Sequence, residues 1–237
     1  MAAIGSLRLL QLVEGQSQAT TRFYLPSTGA AAVSPAFDSA WEETGSADRL
    51  AMVTTRINSA MTDQSGTTLL SAGDELLRQY VSAPLVAQVV NGDVKLYARA
   101  SEALATVNAV SRIILTVVSN DGSSVRGTLL SFADYSTGAE WNTSLRNKSF
   151  ADLDPPSPVT AQSGDRLVLE IGFNHAAVIS SAAINFGDDS ATDLAEDETT
   201  TTADNPWLEI GQTLTFAAAG GGDGLIPGRL QAMGIMV

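Results

Sequence analysis

The sequence predicts an all-β protein, an antiparallel sandwich of jelly-roll type. Three observations lead there. Short runs rich in Val, Ile, Leu, Thr and aromatic residues recur about every 10–15 residues, each closed by Gly, Pro, Asn, Asp or Ser. Two dipeptides with hairpin-turn chemistry, Asn91-Gly92 and Asp121-Gly122, lie between such runs. No segment keeps the apolar period of a helix for more than a turn or two.

Taken in order, "TTRFYL" at 20–25, "RLAMVTT" at 49–55 and "TTLLS" at 67–71 read as short strands. "SADRLAM" at 46–52 and "GDELLRQYV" at Gly73–Val81 each allow a helical turn, the second with Asp74 as its cap. "QYVSAPLVAQVV" at 79–90 runs into Asn91-Gly92-Asp93, and "VKLYARAS" follows at 94–101. Asn-Gly suits a two-residue turn that needs positive φ twice, so these runs are expected to pair as a hairpin. A second hairpin joins 109–119, dense in β-branched residues, to 125–132 through Asp121-Gly122.

Farther on, 140–150 reads as a strand with Asn142, Ser144, Arg146 and Lys148 on its polar face. Three prolines make 152–165 a long crossing loop. In "RLVLEIGF" at 166–173, Leu167, Leu169 and Ile171 share one face and Arg166, Val168 and Glu170 the other. Runs at 176–186, 207–210 and 213–219 complete the set. The organisation expected is an arm at 1–18, a sandwich domain at 19–218 and a tail at 219–237, glycine-rich and then apolar. Leu230, Met233, Ile235, Met236 and Val237 call for burial, on the chain's own sandwich or on a neighbouring subunit, and are the candidate assembly residues.

Composition narrows the function. The 237 residues carry a formal charge of −13, and their 13 Lys and Arg are scattered, which speaks against nucleic-acid binding and against anionic membrane surfaces. No run approaches the ~18 apolar residues of a membrane span. Cysteine is absent, which removes thiol nucleophiles, disulfides and thiolate metal sites. Arg8, Gln11 and Glu14 interrupt the apolar start, so a signal peptide is not expected.

Catalysis has little to rest on. His175 is the one histidine, and no G-x-S-x-G elbow accompanies it. The expectation is a non-enzymatic chain without a cofactor. Asp188, Asp189, Asp193, Glu196, Asp197 and Glu198 crowd 187–204 and offer hard oxygen ligands, but the spacing departs from an EF-hand. The segment is read as a solvated loop, with a calcium site as the alternative. Trp41, Trp141 and Trp207 are read as plugs at the sandwich ends; the alternative is stacking on sugars in a carbohydrate-binding or adhesin module.

Three stretches, "TTRFYLPST…FDSAWEETGSADRLAMVTT", "LRNKSF…VTAQSGDRLVLEIGF" and "INFGD…DLAEDET…NPWLEI", together resemble structural proteins of tailed-bacteriophage virions over about residues 20–217. The resemblance implies an architectural role on the head surface or the tail, assembly in the host cytoplasm, and other virion proteins as partners. It implies no active site. A homotrimer is expected by fold analogy, since jelly rolls commonly assemble about three-fold axes.

Overall fold

The computed structural model describes residues 19–45, 47–65, 72–135, 140–153, 157–176 and 182–218. Among these residues the chain is all-β, with thirteen strands and no helix. They are β1 (Thr21–Tyr24), β2 (Asp48–Ala51), β3 (Thr62–Ser65), β4 (Gly73–Val81), β5 (Gln88–Val90), β6 (Val94–Glu102) and β7 (Val110–Val118). The second half holds β8 (Val125–Ala133), β9 (Arg146–Leu153), β10 (Val159–Ala161), β11 (Arg166–His175), β12 (Ala182–Phe186) and β13 (Trp207–Ile210).

One sheet runs β1-β13-β6-β12-β3, with β9 also paired to β6. The other large sheet runs β2-β4-β11-β7-β8, antiparallel except for the parallel pair β2–β4. β5 and β10 form a small separate pair. Period-2 alternation assigns the faces. On β6, Val94, Leu96, Ala98 and Ala100 point to the core, as do Leu167, Leu169, Ile171 and Phe173 on β11. These side chains from both large sheets belong to one apolar cluster, tied across by the Tyr80 and Phe186 rings at 5.6 Å.

The opposite faces of both sheets are covered by long connections. On the five-stranded sheet, Ala31 and Val33 pack on Val81, Val118 and Val168. On the six-stranded sheet, Leu194 from the acidic segment packs with Tyr97 and Trp207.

Several expectations are corrected. Gly73–Val81 is a nine-residue strand and holds no helical turn. Its apolar residues do suit a helix face, but it lies between β2 and β11 and almost all of it is buried, so ladder pairing on both sides overrides local preference. The hairpin at Asn91-Gly92 does not form: β5 pairs with β10, and β6 with β9, β12 and β13. Gly92 is not among the positive-φ glycines, and it serves close approach instead. A Cβ there would stand 2.6 Å from the carbonyl carbon of Gly211. Part of the 152–165 loop is regular, as β10. Residues 213–218 form no strand, only an isolated bridge from Phe216 to Leu85. The hairpin at Asp121-Gly122 forms as expected between β7 and β8, with Gly122 at φ 76°. The 67–71 run lies outside the described residues, as do the 1–18 arm and the 219–237 tail with Leu230, Met233, Ile235, Met236 and Val237.

Candidate functional site

The acidic segment is not a free solvated loop. It folds over the outer face of the six-stranded sheet, and most of its carboxylates find separate partners. Asp193 meets Arg22 at 2.8 Å and Arg56 at 2.6 Å. Burial alone would raise the Asp193 carboxyl, but hydrogen bonds from Arg56 and Arg22 outweigh it and hold the group below the usual carboxylate range. Glu196 pairs with Lys95 at 2.6 Å, and Glu198 with the nearly buried Lys148 at 3.3 Å. Asp197 accepts from the backbone N–H of Thr200 and Thr199 and from the Thr200 hydroxyl, which lowers its pKa. Asp188 is buried and caps the Ser190 N–H at 2.7 Å, while Asp189 is exposed. Among the described residues, no three His, Cys, Asp or Glu side chains converge as a metal-ligand group. The cations that disperse these acids, Arg22, Arg56, Lys95 and Lys148, come from 50 to 171 residues away, so spacing within the segment gave no signal of them.

All three tryptophans are buried. Trp207 does not plug an end; it lies on the outer face of β13, 5.1 Å from the Tyr97 ring, under the Arg22 guanidinium and donating to the Leu194 carbonyl at 2.9 Å. Trp141 sits in the core against Phe150 and Phe173 and donates to Ser111 Oγ. Trp41 donates to Glu170 Oε2 at 2.6 Å. With their faces and N–H groups committed inside the fold, these indoles offer no sugar-stacking platform.

Glu170 and Glu102 are among the buried carboxyls that the sequence did not single out. Glu170 on β11 also accepts from Gln79 Nε2 at 2.8 Å and from the Asp38 N–H, and burial raises its pKa. It pins the 35–41 stretch to the sheet. Its place on the non-core face was legible; its donors were not. Glu102, at the end of β6, is raised by burial; the Ala109 N–H opposes that rise and nearby Glu140 adds to it. His175 closes β11 opposite Gly73, fully buried, with its ring 5.9 Å from Phe173.

Among the described residues, one open surface groove is lined mainly by apolar side chains, with Thr54 and Thr55. This groove of about 290 Å³ has Phe23 and Met52 at its floor, and Val53, Ile57, Ala83 and Phe216 around it. Ile57 is 41% exposed. The 219–237 segment joins the described body close by, two residues past Phe216. Thr213 Oγ1 donates to the Ala19 carbonyl at 2.9 Å, the Phe216 ring stands edge-on to Phe23 at 5.9 Å, and the Ala217 N–H bonds the Pro84 carbonyl at 2.8 Å.

No family model and no curated protein matches this chain. Solved structures do align. One crystal structure of a CocE/NonD family hydrolase from Staphylococcus aureus aligns at TM-score 0.45 and 10% identity, over 82% of this chain and 36% of the hydrolase. Another structure of a CocE/NonD family hydrolase from the same organism aligns at TM-score 0.29 and 9% identity, over 84% and 36%. This chain thus spans about a third of the length of the hydrolase chains it aligns with. The expectation of a non-enzymatic chain is corrected here: the aligned structures are of a hydrolase, and the exclusion of enzymatic activity does not stand. An alignment at this level transfers neither an activity nor a residue role to this chain.

Proposed function

We propose that the chain is an assembly subunit of a tailed-bacteriophage virion, a β-sandwich of jelly-roll type that is antiparallel but for the β2–β4 pair. It attaches to neighbouring virion proteins, on the head surface or the tail, through its faces and the segments 1–18 and 219–237. It assembles in the host cytoplasm, with a homotrimer as the favoured arrangement by fold analogy. The sequence resemblance over residues 20–217 supports this reading. The structural observation that carries it is the departure of the 219–237 segment from the described body two residues past Phe216, a wall of one open apolar groove. Arms that leave a subunit next to an apolar surface suit exchange between copies.

The test is mass in solution, by light scattering, for the full chain and for a chain ending at Ala218. The expected result is an oligomer that loses subunits on truncation. A full chain that stays monomeric at every concentration, and does not associate with virion proteins produced alongside it, overturns the reading.

A further inference from the structure

We infer that the groove bounded by Met52, Ile57 and Phe216 is the seat for residues 230–237 of a second copy of this chain. The inference rests on the assembly reading above and names the surface that the tail engages. The groove's lining carries no ionisable side chain, in a chain whose net charge is −13. Its floor is aromatic and thioether, from Phe23 and Met52, and its rim leaves Ile57 in water. Burying such a surface is favourable in proportion to the apolar area covered. The segment "LQAMGIMV" matches it in kind, with five large apolar side chains and no ionisable one.

Reach is sufficient. The described body ends at Ala218, two residues past the Phe216 wall, and eleven residues separate it from Leu230. Fully extended, that linker spans up to about 40 Å, enough to cross a subunit contact. Each copy then both gives a tail and receives one, which is how a closed symmetric assembly satisfies every groove.

The absence of cysteine makes disulfide trapping a clean test. Ile57→Cys chains are mixed with Met233→Cys chains under mild oxidation, with exposed Thr55→Cys as a second rim position should the first fail to fold. The expected product is a mixed covalent species of twice the 24.6 kDa chain mass, lost on reduction. Closure within single chains of a Met233→Cys/Ile57→Cys double variant, with no mixed species, would place the tail in its own groove and overturn the inference. An oligomer with neither disulfide overturns the groove as the seat but leaves the assembly reading standing. A full chain that is monomeric throughout removes both.

Discussion

The carboxylate of Glu170 and the indole of Trp41, 129 residues apart in the chain, meet in a buried 2.6 Å hydrogen bond. Gln79 and the backbone of Asp38 complete the donor set. A carboxylate so surrounded holds a long irregular segment against the sheet. Glu170→Ala is expected to cost about 3 kcal/mol, since a buried donor left unsatisfied costs about 1–3 kcal/mol and Trp41 and Gln79 would each lose their acceptor. Urea unfolding measures it; an unchanged midpoint would show that the 35–41 stretch is held by other contacts.

The pH dependence of stability has two opposed contributions. Asp193 lies below its ordinary 3.8 when folded, so its contribution is present above that value and is lost as pH falls through the folded one. Glu170 lies above its ordinary 4.5, so stability declines as pH rises from 4.5 through the folded value. Thermal melts from acid to neutral pH are expected to show Asp193→Asn flattening the acid limb and Glu170→Gln flattening the decline above 4.5. Parallel curves for either variant and the parent would refute that assignment.

Gly172 and Gly92 are expected to reject alanine for steric reasons alone. A Cβ on Gly172 would strike the Glu75 carbonyl oxygen at the irregularity in the β4–β11 ladder, and one on Gly92 would strike the backbone of Gly211. Neither site has positive φ. Each alanine variant is expected to lose about 1–3 kcal/mol, the usual cost of overpacking. Wild-type stability of Gly92→Ala in denaturant titration would contradict the close approach of residues 92 and 211.

Trp207→Ala is expected to lose about 3–5 kcal/mol, as for a large aromatic removed from a packed site. It also frees the Leu194 carbonyl and takes away the platform under Arg22. Hydrogen exchange should then rise through 187–204. If exchange there stays at the parent rate, the segment is held by its ion pairs and not by the indole.

The local rules read well where a residue's role depends on near neighbours. The alternation in 166–173 correctly assigned Leu167, Leu169 and Ile171 to the core, because a strand's faces follow from a two-residue period whatever it pairs with. Asp121-Gly122 made its hairpin because the turn is held by its own atoms. Asp121 accepts from the Ser119 hydroxyl and from the N–H and hydroxyl of Ser123, and those bonds draw its pKa down to about 2. The same reasoning failed at Asn91-Gly92, where the backbone at 211–212, brought in from more than a hundred residues on, sets the conformation.

The all-β character of the described residues, the place of most of their strands and the inward-facing side chains were legible locally in the sequence, since backbone propensity and the two-residue period are properties of short segments. Only the tertiary structure decided that Gly73–Val81 is a buried strand and that Gly92 marks a backbone contact. It also decided that the acids of 187–204 neutralise Arg22, Arg56, Lys95 and Lys148. In each case the deciding group arrives from a distant part of the chain, and a ladder partner or a counter-charge exists only once the sheets have come together.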